Sequence, residues 1–280
     1  MIRPVSGKGK VGKVVAITGA ARGIGLATAA VLRDSGARVA IGDVDESAVH
    51  AAGSRLGLDV HRRLDVTDRQ SFTDFLDSVE NALGPLDVLV NNAGVIAVGS
   101  ALGEADAATQ RLLDVNVYGV ILGTKLAAQR MLTRRHGHII NIASLGAVVP
   151  APGIATYCAT KHAVLGFTDT VRLENRGSGL RFSAVLPTLV NTDMIAGLSG
   201  LRGMKNAEPE DVARAVAALI TKPKARVMVP RSLNAVRLAQ KLLPQAAFEA
   251  LSRGLGAESV FGGQVDAEKR KRYTERPGTL

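Results

Sequence analysis

The sequence has a single cysteine, no tryptophan, three tyrosines and six phenylalanines among its 280 residues. One cysteine, Cys158, cannot close a disulfide within the chain, which excludes a disulfide-stapled scaffold and makes no demand for an oxidising compartment. No run of about 18 apolar residues is present, so no membrane-spanning helix is predicted. The first thirteen residues are polar and basic and lack the apolar stretch of a secretory signal. We therefore expect a soluble, cytoplasmic protein.

The net charge of +10 is unevenly distributed along the chain. Residues 1–13 and 222–280 carry the excess of Lys and Arg, whereas residues 14–221 are nearly neutral, with nineteen basic and twenty acidic side chains. A nucleic-acid groove needs a basic body with interleaved aromatic residues, and this sequence has neither. We therefore predict no nucleic-acid partner. The basic ends are interpreted as solvated tails or as surfaces that attract anions, including an anionic membrane surface.

Short apolar, β-branched runs alternate with longer amphipathic stretches between residues 14 and 230. This alternation predicts βαβ units, and hence an α/β fold with a doubly wound parallel sheet and helices on both faces. The strands are predicted over residues 14–18, 38–42, 60–65, 86–90, 138–143, 181–187 and 226–230. The helices are predicted over residues 24–35, 46–56, 68–83, 106–133, 157–175 and 209–221.

A glycine-rich turn, TGAARGIG, follows the first predicted strand and opens the first predicted helix. Gly19 permits a tight turn, Gly23 lets the backbone approach a pyrophosphate, and Gly25 lets the helix pack closely on the strand. The helix start then offers N–H groups and the positive end of its dipole to phosphates. Asp43 ends the next strand, where a carboxylate can bind ribose hydroxyls. Together these features predict a dinucleotide site.

Four more features complete a recognisable pattern: NNAG after the fourth strand, an asparagine within the long fourth helix, a serine after the fifth strand, and a Tyr-x-x-x-Lys pair. With the glycine turn, the pattern resembles the short-chain dehydrogenase/reductase family over about residues 14–230. The resemblance implies a single Rossmann-type domain, a nicotinamide cofactor, oxidoreduction of an alcohol or carbonyl, and a homodimer or homotetramer. It also implies a catalytic tetrad of Asn116, Ser144, Tyr157 and Lys161.

The tyrosine and lysine also make chemical sense without the resemblance. Tyr157 and Lys161 stand at i and i+4 and share one helix face. A phenol with a pKa near 10 is a poor base at neutral pH, and an ammonium one turn away is expected to lower that pKa. Ser144 could hold the substrate oxygen while Tyr157 takes or gives the proton. By resemblance, Asn116 orders a water that links Lys161 to solvent; the alternative is an asparagine bonded to the backbone of a kinked helix.

The resemblance assigns further contacts to the cofactor. Asp65 and Val66 are implied to meet the adenine, and Asn91 and Gly94 bound a turn under the ribose. In PTLVNT, after the sixth strand, Thr188 replaces the glycine usual in the family. The full set of residues assigned to the cofactor is Gly19, Arg22, Gly23, Ile24, Gly25, Asp43, Asp65, Val66, Asn92, Ala93, Gly94, Tyr157, Lys161, Pro187, Val190 and Thr192, the last of these for the carboxamide.

The choice between NAD and NADP is a contest between two residues. Asp43 is placed to accept hydrogen bonds from both ribose hydroxyls and to repel a 2′-phosphate. Arg22, in the glycine turn, could bind that phosphate. We predict NAD, because the repulsion between the Asp43 carboxylate and the 2′-phosphate dianion is expected to outweigh the attraction of a solvated Arg22 guanidinium.

The chain beyond Pro230 lies outside the resemblance, so three segments are expected: a basic tail (1–13), a Rossmann-type catalytic domain (14–230) and a basic helical extension (231–280). Two helices are predicted over 233–243 and 245–254, followed by a charged, frayed end. Within the first of these helices Arg237 and Lys241 share one face, and much of the rest is apolar: Leu233, Val236, Ala239, Leu242 and Leu243. We expect this face to cap the cleft or contact a second subunit, with a membrane surface as the alternative.

The substrate is predicted to be apolar, because the loops expected to line its pocket, 145–155 and 193–204, carry few charges. An apolar alcohol or ketone, such as a sterol or fatty derivative, fits best. The alternatives are an NADP-dependent carbonyl reductase and a non-catalytic dinucleotide-binding protein that uses its basic tail. No metal site is predicted, since His136 and His138 lack the spacing of helical metal ligands. Cys158 is expected to be a packing residue.

Overall fold

The computed structural model describes residues 12–198, 205–254, 260–261 and 266–279. Seven parallel strands form one sheet in the order β3-β2-β1-β4-β5-β6-β7. Because the strand order reverses between β1 and β4, a crevice opens there at the carboxyl ends of the strands. The strands are β1 (Val14–Thr18), β2 (Arg38–Asp43), β3 (Val60–Arg63), β4 (Val88–Asn91), β5 (Gly137–Ile142), β6 (Leu180–Pro187) and β7 (Arg226–Val229).

Helices cover both faces of the sheet, which confirms the predicted fold class. In β1, Val14 and Ala16 point to one apolar core while Val15 and Ile17 point to the other, so the strand is apolar throughout. The helices are α1 (Gly23–Asp34), α2 (Glu46–Leu56), α3 (Arg69–Leu83), α4 (Asp106–Leu113), α5 (Gly119–Leu132), α6 (Ala155–Glu174), α7 (Pro209–Thr221), α8 (Leu233–Leu242), α9 (Gln245–Gly254) and α10 (Ala267–Thr274). None of the described helices is long and apolar enough to cross a lipid bilayer.

The predicted helix over 106–133 is wrong in its middle, where Asp114–Tyr118 forms a π-helical turn between α4 and α5. A π turn accommodates one more residue than an α turn. Asn116, in the middle of this turn, is fully buried and bonded to a neighbouring loop. Hydrophobic periodicity does not predict the interruption.

The predicted fraying of the end of the chain is also wrong, because residues 267–274 form α10. Arg270 and Tyr273, which stand at i and i+3, are both buried against the body of the protein. In α8, Leu233 and Val236 pack on a small core with β7, whereas Leu242 is 72% exposed. The side chains of Arg237 and Lys241 lie outside the described part of the chain. The boundaries of the three predicted segments stay a prediction.

Buried His138, in β5, is expected to make stability fall in mild acid. Its Nε2 lies 2.8 Å from Ser183 Oγ, and that hydroxyl donates in turn to the Lys224 carbonyl oxygen at 2.6 Å. Burial, with Arg181 nearby, lowers the pKa of His138 to about 4. Between pH 6.5 and 4 the unfolded chain binds the extra proton, so this imidazole's contribution, as much as about 3 kcal/mol, is complete above pH 6.5 and is lost as the pH falls to 4.

Urea unfolding of wild type and His138→Gln at pH 7 and pH 4.5 measures this contribution. The glutamine keeps a donor for Ser183 but does not titrate in this range. We expect the loss of stability between the two pH values to be smaller in His138→Gln than in wild type. His136→Gln, which removes an exposed imidazole, is the control. An equal loss in all three proteins would contradict the prediction.

Candidate active site

A cavity of about 310 Å³ lies at the carboxyl ends of the strands, within the range typical of ligand sites. Two of the predicted site residues, Gly25 and Asn116, lie behind its wall. The other predicted residues all line it: Gly19, Arg22, Gly23, Ile24, Asp43, Asp65, Val66, Asn92, Ala93, Gly94, Ser144, Tyr157, Lys161, Pro187, Val190 and Thr192. The structure therefore gathers residues from six of the seven strand ends around one space.

The glycine turn and the NNAG turn are joined by hydrogen bonds. Thr18 Oγ1 accepts the N–H groups of Asn92 and Ala93, each at 3.0 Å, and Asn92 Nδ2 donates to the carbonyl oxygens of Thr18 and Gly19. Gly19 has a φ of +63°, and a Cβ there would lie 2.6 Å from the Ala93 Cα. At Gly25 a Cβ would lie 2.4 Å from the Gly19 carbonyl oxygen. Glycine is therefore required both for the turn and for the helix behind it.

The start of α1 differs from the starts of its neighbours. Asp45 caps α2 and Asp68 caps α3 through their carboxylates, whereas no side chain caps α1 at Arg22. The cavity faces this uncapped helix start, whose N–H groups and dipole favour an anion. With the space left by the glycines, this arrangement fits the pyrophosphate of a dinucleotide.

The carboxylate of Asp43 stands at the cavity wall in a fixed orientation. Its Oδ2 accepts the Ala21 N–H at 3.0 Å, and its Oδ1 accepts the Asp45 N–H at 3.1 Å. Arg22 is held by a second carboxylate, because its Nη2 lies 2.6 Å from Asp45 Oδ2. Burial alone would raise the pKa of Asp45, but the hydrogen bonds from Arg22 and the Ala48 N–H lower it overall. The sequence did not single out Asp45.

Tyr157, Ser144 and Lys161 form the reactive end of the cavity. The Tyr157 hydroxyl is hydrogen-bonded to Ser144, and Lys161 Nζ lies 5.6 Å from the centre of the tyrosine ring. Lys161 is buried and donates to the Ile142 carbonyl oxygen at 3.0 Å. Burial lowers the pKa of Lys161 to about 8.

The predicted lowering of the pKa of Tyr157 by Lys161 is not found in the protein alone. Burial raises the pKa of the phenol, and the hydrogen bond from Ser144 opposes this only in part. The reason is that the free energy of removing a phenolate from water is larger than the stabilisation that one hydrogen bond gives it.

Asn116 fixes the loop that follows NNAG. Its Oδ1 accepts the Val95 N–H at 2.8 Å, and its Nδ2 donates to the Val95 carbonyl oxygen at 2.9 Å and to Thr160 Oγ1 at 3.1 Å. A Cβ at Gly94 would lie 3.2 Å from Asn116 Oδ1 and 3.4 Å from Lys161 Nζ, so these two groups meet at this glycine. These bonds reach a neighbouring loop and not the backbone of its own helix, which was the alternative interpretation, and the water relay through Asn116 stays a prediction.

The loop after β6 tolerates threonine where the family pattern has glycine. The backbone of Thr188 is outside the left-handed region that would require glycine, and its N–H donates to the Val229 carbonyl oxygen at 2.9 Å. Thr192 contacts the glycine turn, since a Cβ at Gly23 would lie 3.2 Å from its methyl carbon.

At the predicted adenine end, the carboxylate of Asp65 is engaged locally. Its Oδ1 accepts the N–H and the hydroxyl of Thr67, at 3.0 and 2.7 Å. Burial would raise the pKa of Asp65, but these bonds and nearby arginines lower it overall. Asn91, in contrast, points into the core and donates to Asn141 Oδ1 at 2.9 Å.

Sequence reasoning missed a second set of cavity residues, all from the end of the chain: Val260, Phe261, Tyr273, Arg276, Pro277, Gly278 and Thr279. A strongly charged segment gives little signal for burial, and only the i, i+3 spacing of Arg270 and Tyr273 could have pointed to it.

Cys158 is buried and packs, as predicted, and burial raises the pKa of its thiol. The described residues contain no group of three or more His, Cys, Asp or Glu side chains suited to a metal ion.

Comparison with known proteins agrees with this site. Residues 13–200 match the family model described as short chain dehydrogenase. The chain is 30% identical, over 83% of its length, to "Probable oxidoreductase EphD" of Mycobacterium tuberculosis (strain ATCC 25618 / H37Rv), of which it spans only 43%.

Two other relatives are matched over most of their own length. The chain is 37% identical to "2-(S)-hydroxypropyl-CoM dehydrogenase 3" of Xanthobacter autotrophicus (strain ATCC BAA-1158 / Py2), over 73% of this chain and 81% of that protein. It is also 37% identical to "3-alpha-(or 20-beta)-hydroxysteroid dehydrogenase" of M. tuberculosis, over 66% of this chain and 71% of that protein. The chain therefore belongs to the short-chain dehydrogenase family of oxidoreductases.

Proposed function

We propose that this protein is an NAD-dependent dehydrogenase or reductase that interconverts an apolar alcohol and its ketone. One observation carries the proposal: the Ser144–Tyr157–Lys161 cluster opens onto the same cavity as the glycine turn and Asp43. A reacting carbon can therefore lie beside a proton donor and a bound nicotinamide at once. The bound cofactor supplies the site that accepts or gives a hydride.

Each residue has a distinct role in this proposal. Tyr157 gives its hydroxyl proton to a carbonyl oxygen during reduction, or takes the alcohol proton during oxidation. Ser144 holds the same substrate oxygen through its hydroxyl. Lys161 holds a buried ammonium 5.6 Å from the centre of the Tyr157 ring, where it belongs to the proton relay that serves the phenol. Asn116 acts as a positioning residue, because it fixes the backbone at Val95 behind Gly94.

The preference for NAD is proposed from the charges around the ribose position. Asp43 presents a carboxylate that the backbone holds in place, and Arg22 is already paired with Asp45. The 2′-phosphate of NADP would be repelled by the carboxylate of Asp43. To bind Arg22, it would have to break the Arg22–Asp45 pair. We expect kcat/KM to be at least about tenfold higher with NAD than with NADP.

Asp43→Asn tests this preference, because it removes the charge and keeps an oxygen for one of the two backbone N–H groups. We expect the NAD-to-NADP ratio of kcat/KM to fall by about tenfold. Asp34→Asn, which removes an exposed carboxylate at the end of α1, should leave the ratio unchanged. A wild-type preference for NADP would instead make Arg22 the residue that selects the cofactor.

The proposed substrate class follows from the wall around Tyr157. The side chains there are mainly apolar, among them Val149, Ile154 and Met194. The name of the hydroxysteroid dehydrogenase points to a steroid alcohol, and that of a further relative, "Cis-4-hydroxycyclohexanecarboxylate dehydrogenase" of Sinomonas cyclohexanicum (37% identical over 74% of this chain and 88% of that protein), to a cyclic hydroxy acid. An apolar secondary alcohol shares the reacting group with both and suits this wall best.

A screen of cyclic and steroidal secondary alcohols with NAD, read as NADH formation, tests the function. The reverse screen with the matching ketones and NADH covers the other direction. Binding of NAD without turnover of any substrate in either screen would favour the non-catalytic alternative.

We also propose a homo-oligomer, which a measurement of the protein's mass in solution tests. Flotation with anionic vesicles tests the proposed membrane contact of the 231–280 extension.

A further inference from the structure

Helix α10 supplies the hydrogen-bond partners of a buried loop. Ile96, two residues beyond the NNAG turn, is buried, with 3% of its surface exposed. Its N–H donates to the Tyr273 hydroxyl oxygen at 3.1 Å, and its carbonyl oxygen accepts from Arg270 Nη2 at 3.0 Å. Since a buried backbone group without a partner is destabilising, α10 is part of the folded site and not an addition to it.

The same helix holds the predicted substrate loop that follows β6. Arg270 Nη1 donates to the Met194 carbonyl oxygen at 2.5 Å, and the Asp266 N–H donates to the Gly197 carbonyl oxygen at 3.1 Å. Arg276 pairs with Asp193 at 3.0 Å. Arg270 on α10, together with the residues that flank this helix, thus bridges the loop after β4 and the loop after β6.

Between these two loops lies the ring of Tyr273. It is 5% exposed, and it forms one apolar cluster with Ile96, Ile154 and Cys158. Tyr157 packs against this cluster, and the guanidinium of Arg270 lies 4.4 Å from the centre of the Tyr273 ring. Because Tyr273 also lines the cavity, its ring is a wall of the space beside the reactive phenol.

We propose that Tyr273 is the residue that limits the size of the substrate. The inference rests on the proposed function and adds to it: the substrate is an apolar alcohol or ketone small enough to fit between the Tyr273 ring and the Tyr157 hydroxyl. The hydrogen bond to Ile96 and the stacked guanidinium hold the ring in place, so it cannot turn aside for a bulky substrate without breaking both. Arg270 is a positioning residue for this wall.

Size selectivity measured with two probes tests the proposal. The probes are cyclohexanol and cyclododecanol with NAD, compared in wild type, Tyr273→Ala, Tyr273→Phe and the control Tyr118→Ala. Tyr118 is a tyrosine outside the cavity, 46% exposed. We expect Tyr273→Ala to raise the ratio of kcat/KM for cyclododecanol over cyclohexanol by at least about tenfold, because removing a ring frees the volume of several methylenes. This ratio should stay near its wild-type value in Tyr273→Phe and Tyr118→Ala.

Tyr273→Phe separates the wall from the hydrogen bond. It keeps the ring but leaves the Ile96 N–H without the hydroxyl, so a change in selectivity shared by Tyr273→Phe and Tyr273→Ala would assign the effect to loop loosening and overturn the proposal. If Tyr273→Ala does not fold, Tyr273→Leu is read in the same way.

A binding measurement keeps this inference distinct from the proposed function. Calorimetric titration of cyclohexanone and cyclododecanone, with and without NADH, is carried out in the Tyr157→Phe background, where turnover is not needed. A tenfold gain for the larger ketone on adding Tyr273→Ala supports the size limit even if no alcohol is oxidised by wild type. Unchanged ratios in both turnover and binding would overturn it.

Discussion

Replacing Tyr157 by phenylalanine should lower kcat by at least about 100-fold while changing the affinity for NAD by less than about threefold. The substitution removes only the hydroxyl that exchanges a proton with the substrate oxygen, and general acid–base groups contribute about 10²–10⁴-fold. The residues assigned to the phosphates and ribose, from Gly19 to Asp43, are untouched. Steady-state kinetics measures kcat, and equilibrium binding of NAD measures the affinity.

Tyr118→Phe is the matched control, because it removes a phenolic hydroxyl from the same fold at a site outside the cavity. It should retain wild-type kcat. If Tyr157→Phe kept more than about a tenth of the wild-type rate, another group would be the acid or base. An equal loss in both variants would point to a general effect on the fold.

Lys161→Met should cause a comparable loss of kcat/KM, at least about 100-fold, and should also change the pH dependence of stability. In wild type, burial lowers the pKa of Lys161 to about 8 from its usual 10.5. Between these two pH values the unfolded chain binds one more proton than the folded chain, so the free energy of unfolding rises with pH. The rise amounts to as much as about 3 kcal/mol for this group. Lys161→Met removes this contribution, because methionine does not bind a proton.

Urea unfolding at pH 7.5 and 9.5 measures this difference. We expect wild type to gain stability over this interval relative to Lys161→Met. Lys125→Met, which removes an exposed ammonium on α5, should behave as wild type. Identical pH dependence in Lys161→Met and wild type would mean that Lys161 has the same pKa in the folded and the unfolded chain, which would contradict the lowering of its pKa by burial.

The sheet could be predicted because most of its strands, the edge strand β3 excepted, are apolar on both faces. Alternation of strands and helices is a local property of the sequence, and it predicted the seven strands and most helix ends to within a few residues. The exception is the stretch around Asn116. There one side chain bonds to the backbone of Val95, 21 residues away, and no local pattern encodes a contact of that kind.

Likewise, some residues of the cavity could be predicted from the sequence and others could not. The glycine turn, Asp43 and Tyr157 belong to short motifs whose chemistry can be recognised one residue at a time. Tyr273 acquires its place only through pairing with Ile96, 177 residues away. In the sequence it lies between charged residues, where burial is unexpected. Asp45 escaped notice for a similar reason, since a helix-capping aspartate is common and its second role, holding Arg22, depends on the fold.

The π-helical turn Asp114–Tyr118 makes chain length, as well as residue identity, a determinant of the site. Each residue of an α-helix advances the chain by about 100°, so the faces of α4 and α5 are matched across one extra residue. Deleting a single residue here would convert the π turn into an α turn and leave one continuous helix, with Leu112 and Leu122 still on their buried faces. The loss would be the bulge itself, and with it the backbone position from which Asn116 reaches Val95. The extra residue thus serves the site and is not needed for the packing of the helix.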